Sequence, residues 1–310
     1  MKELEAENTR RIFRIRETCT KYNLGIYQTV KNDPVFKYPP TPQYEVFYID
    51  QIHQISYCPI YKSGSTTWLF NMCLLMNIPE EELNSGNEQL STIARRILPA
   101  MDFPEAEKAM TATTKLLVVR HPFERLLSAY RDKLENSVAG REHGTLHFYH
   151  KYGAAIVRKY RDRNFLPPSE DQVIRRKDVA KPAGIEPTWR EFVDYLINTD
   201  LASYGDDHWM PYYLFCTPCS LNYTIVAKVI AFRLRVETLE QDQVFAIKRM
   251  KLDDLIAPKW RHKNGLVNAS RIYFRQLTRN KVYQLYNKLK LDFEMFDYSP
   301  DQYYTYASDI

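Results

Sequence analysis

Two short polar segments, each directly behind an apolar run, hold the residue types that bind a phosphate ester. The first is Ile60-Tyr61-Lys62-Ser63-Gly64-Ser65-Thr66-Thr67-Trp68. A glycine-containing turn that opens a helix presents backbone N–H groups at the positive end of the helix dipole, which favours an anion twice over. Lys62 adds a positive charge beside those amides. The lysine precedes the glycine, whereas a nucleotidase loop has Gly-Lys-Ser/Thr after a four-residue gap, so this is not a Walker sequence. Taken alone, the segment also reads as an ordinary turn with a solvated lysine.

The second segment is Arg120-His121-Pro122, with Ser128 further along the chain. Arg120 offers a planar fork suited to phosphate, and Ser128, one turn after Glu124, can add a hydroxyl. Each has a plain alternative, since a strand-end arginine is usually a surface ion pair and a helical serine usually bonds the i−4 carbonyl.

The flanking pattern supplies the elements that would hold these groups. Short β-rich runs at Val46 to Ile49 and Ile52 to Tyr57 precede the first loop. Trp68, Met72, Leu75 and Met76, widened by Leu69 and Cys73, then give a largely buried helix. Lys115 to Val119 reads as a buried strand, Arg120-His121-Pro122 as a turn, and Phe123 to Leu134 as a helix with Phe123, Leu126, Leu127, Tyr130 and Leu134 inward. Thr188-Trp189-Arg190-Glu191 is a capping-box pattern opening another helix, and a last helix is expected near Asn280 to Lys290. Strands alternating with helices predict an α/β fold with a mainly parallel sheet. Residues 1–45, a charged helical-looking stretch and then a proline-rich piece ending Tyr38-Pro39-Pro40-Thr41-Pro42, read as a stem or linker, leaving 46–310 as the catalytic domain. Residues 136 to 186 are polar and read as a basic insertion or long loop that carries Arg158, Lys159, Arg161, Arg163, Arg175, Arg176, Lys177 and Lys181.

Composition narrows the class. With 310 residues and 45% hydrophobic content, the chain can bury a large core and is unlike a disordered one. A net charge of +5 is compatible with a polyanionic partner and does not require one. No apolar run reaches the roughly 18 to 20 residues of a membrane span, and the start lacks signal-peptide layout. Five cysteines are too few for a disulfide scaffold and leave at least one unpaired. Asn222-Tyr223-Thr224 and Asn268-Ala269-Ser270 are glycosylation acceptors if the chain enters a secretory lumen.

The two loops together carry a resemblance. Lys62-Ser63-Gly64-Ser65-Thr66-Thr67-Trp68 resembles the 5′-phosphosulfate loop, and Val119-Arg120-His121-Pro122-Phe123-Glu124-Arg125-Leu126-Leu127-Ser128-Ala129-Tyr130-Arg131-Asp132-Lys133 the 3′-phosphate motif, of Golgi carbohydrate sulfotransferases. The similar subgroup holds the chondroitin and dermatan 4-O-sulfotransferases and the sulfotransferase of the natural-killer carbohydrate epitope. Pro187 to Val193, His208-Trp209, Cys216-Thr217-Pro218-Cys219, Glu237-Thr238-Leu239-Glu240 and Asp292 to Phe296 extend it, in family order, over roughly residues 46 to 300.

The resemblance implies the P-loop-type sulfotransferase fold, a mainly parallel central sheet flanked by helices. It also implies transfer of a sulfuryl group from 3′-phosphoadenosine 5′-phosphosulfate (PAPS) to a sugar hydroxyl, GalNAc 4-O of chondroitin or dermatan being the expected acceptor, without a metal. The implied cofactor-binding residues are Tyr61, Lys62, Ser63, Gly64, Ser65, Thr66, Thr67, Arg120, Arg125 and Ser128, with Lys62 also catalytic because negative charge collects on the oxygen bridging phosphorus and sulfur. The family's members are single-span Golgi membrane proteins with the enzyme in the lumen, so an N-terminal anchor is expected outside this sequence. The implied partner is an acidic glycan, glycosaminoglycan or glycoprotein-borne, and not a nucleic acid.

Several residues depart from the pattern. Tyr61 stands where the family has Pro, His121 where it has Asp, Thr224 where Asp follows the Tyr, and Ala227 where Gly is usual; extra residues also fall within Val229 to Val236. These departures keep open a second reading, a catalytically weakened luminal glycan-binding protein. A kinase or nucleic-acid binder is disfavoured by the lysine's position and by the lack of an aromatic-basic array.

The general base expected for the sugar hydroxyl is His208, whose segment matches the family; a packing or capping histidine is the alternative. His121 is expected nearer the cofactor. Cys216 and Cys219 lack the further ligands of a zinc site, and cysteines matched to a luminal family are expected in disulfides whose partners the sequence does not name. The basic stretch 158–181 is either a solvated loop or one wall of an acceptor cleft.

Overall fold

The computed structural model describes residues 1–29, 36–139, 145–174, 181–229, 236–258 and 268–309, with backbone only at 236–240. The four strands are β1 (Tyr48–Asp50), β2 (Ile55–Cys58), β3 (Thr114–Arg120) and β4 (Ile225–Val229). Six helices matter below: α1 (Lys2–Lys21), α2 (Ser65–Leu75), α3 (Pro122–Lys133), α4 (Trp189–Asn198), α5 (Val236–Arg249) and α6 (Arg279–Lys288). The strands form one sheet in the order β1-β2-β3-β4, with β1 antiparallel to β2 and the other pairs parallel. The α/β architecture with a mainly parallel sheet is the one read from the alternation of elements. Among the described residues no helix is long and apolar enough to cross a membrane.

The chain forms two compact units, Met1–His121 with Met210–Gly265 and Glu294–Asp297, and Pro122–Trp209 with Leu266–Phe293 and Tyr298–Ile310. The first contains the sheet. Leu116 to Val119 of β3 are all buried, as a central parallel strand covered on both faces requires. On one face Trp68, Leu69, Met72 and Cys73 of α2 meet Leu116, Val118, Ile225 and Ala227, with Phe245 and Ala246 of α5 in the same core. Buried residues occur all round α2, so its N-terminal end is held at the sheet from several sides. Arg120 stands opposite Val229, and Cys58, the last residue of β2, opposite Leu117. β3 therefore runs three residues beyond β2, level with the loop that follows Cys58.

Helix α1, inside the stretch expected to be a stem or linker, lies in this unit and covers the edge of β4. Asn8 Nδ2 donates to the Thr224 carbonyl and its Oδ1 accepts from the Val226 amide, both at 2.9 Å. Arg11 Nη1 donates to the Val226 carbonyl and to Asp242, which also accepts the Lys228 amide. These side chains occupy the hydrogen-bonding positions that a further strand would use, which closes the edge to pairing. A disulfide joins Cys19 at the end of α1 to Cys219.

The expected first two strands are shorter than read. Asp50 Oδ1 accepts the amides of Ile52 and His53, and this side-chain turn takes residues 51–54 out of β1 and β2.

The second unit packs α3, α4 and α6 around an aromatic core that includes Phe123, Tyr130, Trp189, Phe192, Trp209, Phe274 and Tyr303. The capping box opens α4 as read, with the Thr188 hydroxyl accepting from the Glu191 amide and Glu191 from the Thr188 amide. The described part of 136–186 is more ordered than the loop expected there. It includes a helical turn Thr145–Phe148, a π-helical turn Tyr149–Gly153 and a helix Ala154–Tyr160. Phe148, Tyr152, Ile156 and Tyr160 recur every fourth residue and join the aromatic core. Charge dominated the reading of that stretch and hid the apolar stripe.

Candidate active site

In the first unit, strand β2 ends at Cys58 and the chain turns twice before α2. The Ser63 amide donates to the Ile60 carbonyl at 3.1 Å, closing a turn with Lys62 in the left-handed region at φ 66°. Gly64 follows at φ 81° and caps α2 without a side-chain hydrogen bond. A glycine adopts that conformation freely, but a lysine in it carries strain on the order of 1 kcal/mol or more, and such residues collect at ligand-binding positions. Among the described residues nothing accepts from the amides of Gly64, Ser65 and Thr66, while those of Thr67 and Trp68 donate back to the Gly64 carbonyl. Ser63 is fully buried and its Oγ has no hydrogen-bond partner among the described residues. Three outward amides at a helix N-terminus and a buried hydroxyl without a partner fit a phosphate or sulfate group.

Arg120 belongs to the same assembly. Its Nη1 donates to the Lys62 carbonyl at 3.3 Å, and its own carbonyl accepts from the Tyr212 hydroxyl at 2.6 Å. The segment that includes Tyr212 also packs Phe215 against the Tyr61 ring at 6.3 Å and bonds Cys216 to Cys58. Three contacts thus back the loop, one on β3, one on Tyr61 and one on the residue that ends β2. Cys216 and Cys219 bind Cys58 and Cys19, so neither sulfur is available to zinc, and Cys73 is the buried free thiol. Among the described residues no group of three or more His, Cys, Asp or Glu side chains could hold a metal.

Of the residues that depart from the resembled pattern, Tyr61, Thr224 and Ala227 make packing or hydrogen-bond contacts, and Thr224 follows a bonded tyrosine. The Tyr223 hydroxyl donates to the Cys216 carbonyl, and Thr224 exchanges hydrogen bonds with the Lys115 backbone. Ala227 is buried against the α2 core. His121 is half-buried directly after Arg120. Residues 230–235, most of the apparent insertion, and Arg175, Arg176 and Lys177 lie outside the described residues.

In the second unit, Ser128 is half-buried on α3. Arg125 is 2% exposed, and its Nη2 donates to the Asp207 carbonyl at 2.8 Å. That contact braces the turn bearing His208. The His208 Nδ1 lies 2.7 Å from Asp206 Oδ1, which also accepts the His208 amide. Tyr152 donates its hydroxyl to Asp206 Oδ2 at 2.9 Å. Burial alone would raise the Asp206 carboxyl, but hydrogen bonds from the His208 ring and amide, the histidine's charge and Tyr152 hold it down at about 2. Asp206 and Tyr152 were not found by sequence reading; a carboxylate two residues before His208 was the one visible signal.

Of the basic stretch, Arg158, Lys159, Arg163 and Lys181 are exposed. Arg161 is not part of such a surface, since it pairs with Glu191 at 2.8 Å and donates to the carbonyls of Gly184 and Glu186. Both acceptor asparagines, Asn222 and Asn268, are exposed, while Ser270 of the second triplet is buried in a hydrogen bond to Glu124.

Comparisons with known proteins find relatives over most of the chain. The chain is 28% identical over 268 residues to carbohydrate sulfotransferase 11 of Rattus norvegicus, covering 82% of this chain and 67% of that protein. It is 28% identical over 306 residues to human (Homo sapiens) carbohydrate sulfotransferase 9, covering 95% and 60%, and 26% identical over 296 residues to Mus musculus carbohydrate sulfotransferase 8, covering 92% and 62%. The chain therefore spans 60 to 67% of the length of these relatives. No solved structure gives a significant match. The profile of the sulfotransferase family matches residues 45–299, a span that begins before β1 and takes in the Lys62 loop, Arg120 and the His208 turn. On that match the chain belongs to the sulfotransferase family.

Proposed function

We propose that this chain is a carbohydrate sulfotransferase that takes its sulfuryl group from PAPS. The observation that carries the reading is the Lys62 loop: a strained lysine, three outward amides and a buried serine hydroxyl, tied to Arg120. Residues 61–67 would hold the 5′-phosphosulfate. Arg120, with Ser128 by its place in the sequence motif, would hold the 3′-phosphate; Arg125 is better read as a brace of the His208 turn.

Bound PAPS supplies the sulfuryl group: a sugar oxygen bonds to sulfur and the sulfur–oxygen bond to the 5′-phosphate breaks. Lys62 stabilises the negative charge left on the phosphate oxygen. His208 takes the hydroxyl proton. The chain's own contribution is thus a positive charge for the leaving phosphate oxygen and a proton acceptor for the sugar hydroxyl.

The acceptor is proposed to be an acidic glycan, GalNAc 4-O of chondroitin or dermatan, on the motif resemblance and the exposed cations at Arg158, Lys159, Arg163 and Lys181. Residence in the Golgi lumen is supported by two disulfides, which persist in oxidising compartments. A binding measurement tests the donor reading. Calorimetric titration should give tighter binding of adenosine 3′,5′-bisphosphate than of AMP or ATP, by about tenfold or more. Preference for ATP would refute it.

A further inference from the structure

The turn that carries His208 is held by Arg125 of the sequence motif and also by Asp206, Tyr152 and Phe148, which lie outside it. Asp206 Oδ1 accepts both the His208 ring and its amide, and Oδ2 accepts the Tyr152 hydroxyl, with Lys151 Nζ at 3.6 Å. The His208 and Asp206 side chains are only 16% and 11% exposed. Lys151 and Tyr152 both come from the π-helical turn Tyr149–Gly153, a geometry that is rare and recurs at functional sites. The Tyr152 ring stands edge-on to Trp209 at 4.9 Å, and Phe148 stands edge-on to His208 at 5.1 Å.

A simple turn would need only the contact between the Asp206 carboxylate and the His208 amide. Here the same carboxylate also takes the imidazole and a tyrosine hydroxyl, which a turn does not require. A histidine that donates Nδ1–H to a carboxylate is fixed in one tautomer, with Nε2 as its basic atom, and its imidazolium is stabilised.

We propose that Asp206 is the positioning residue for His208 in sulfuryl transfer, with Tyr152 holding Asp206 in place. The proposal rests on the reading of His208 as general base. In the step, the acceptor hydroxyl proton passes to Nε2 as its oxygen bonds to sulfur, the bridging oxygen leaves with the electron pair on adenosine 3′,5′-bisphosphate, and Asp206 remains ionised against the imidazolium. Among the described residues, the other charged or titratable groups around the turn include Asp207, Lys151, Arg125, Tyr195, and Lys133, which lies over the Phe148 ring at 5.2 Å. Asp206 is the carboxylate bonded to the His208 ring, so its removal should move the ring's titration.

The test uses the full chain and its Asp206→Asn, Asp206→Glu and His208→Gln variants. Three quantities are read: kcat against pH, NMR titration of the His208 ring, and affinity for adenosine 3′,5′-bisphosphate. Asp206→Asn should lower kcat about 10- to 100-fold and leave nucleotide affinity unchanged. It should also move the acidic limb and the His208 titration to lower pH, since the carboxylate favours the charged ring. Asp206→Glu, which keeps the charge and guards against loss of folding in the amide variant, should restore part of kcat. If Asp206→Asn keeps wild-type kcat and acidic limb while His208→Gln is inactive, Asp206 does not position the base and the proposal is overturned. If His208→Gln keeps wild-type kcat, it is the base reading that fails.

Discussion

Arg120 Nη1 donates to the carbonyl oxygen of Lys62 at 3.3 Å, so the strand-end arginine and the loop lysine are parts of one hydrogen-bonded assembly. The end of β3 sets the height of the loop, and the left-handed lysine is held by a contact to its own carbonyl. A charge on Arg120 without the forked shape cannot both make that bond and clamp a phosphate.

Arg120→Lys should therefore raise KM for PAPS by about tenfold or more and narrow the preference for adenosine 3′,5′-bisphosphate over AMP as an inhibitor. Ser128→Ala should do the same more weakly. Inhibition constants for the two nucleotides check this, and an unchanged ratio in both variants would remove these residues from the 3′-phosphate.

Lys62 separates charge from strain. Lys62→Ala keeps the unfavourable φ of 66°, whereas Lys62→Gly relieves it. Both variants should lose turnover, on the order of a hundredfold or more, with nucleotide binding less affected. The glycine variant should be the more stable of the two by about 1 kcal/mol. Single-turnover rates and denaturant melts distinguish the effects; a glycine variant with wild-type turnover would show that the lysine charge does no catalytic work.

Lys228, on β4 opposite Val119, is pushed down from 10.5 to about 8 by burial first and by the Arg11 charge second, against the pull of Asp297, Glu7 and Asp242. Between about pH 8 and 10.5 the unfolded chain holds this proton and the folded one does not, so folding stability from this group rises with pH across that window. The penalty below pH 8 is at most about 3 kcal/mol. Lys228→Met should be more stable than the parent near pH 7, and the gap should shrink toward pH 10. Parallel denaturant titrations at the two pH values give the sign directly.

The two disulfides should divide stability from cofactor binding. Cys58–Cys216 and Cys19–Cys219 span 158 and 200 residues of chain. Removing either should cost about 2 to 5 kcal/mol. Only Cys58→Ser should also weaken adenosine 3′,5′-bisphosphate, because Cys58 leads directly into the Lys62 loop. Equal nucleotide affinity in Cys58→Ser and Cys19→Ser would show that the loop keeps its shape without the bond.

Strands β1 to β3, α2, α3 and the α4 capping box were legible because each rests on local pattern: buried runs, a 3.6-residue stripe, or a box of two residues; β4 was not read. The Lys62 loop and Arg120 were legible as residue types, and their hydrogen bond was not, since it joins residues far apart in sequence. The helices at 145–160 were hidden by charged neighbours of Phe148, Tyr152, Ile156 and Tyr160. Tyr152 and Asp206 could not be paired from the sequence for the same reason as Cys19 and Cys219. Tertiary contact across long separations leaves no local signature.

Transfer of radiolabelled sulfate from PAPS, by the full chain, onto desulfated chondroitin and a panel of other glycans tests the central claim most directly. The account predicts PAPS-dependent incorporation into at least one glycan, lost in Lys62→Ala while adenosine 3′,5′-bisphosphate still binds. Tight binding of nucleotide and glycan by the wild-type chain, with no label transferred to any acceptor, would contradict it and leave a glycan-binding protein on a sulfotransferase fold.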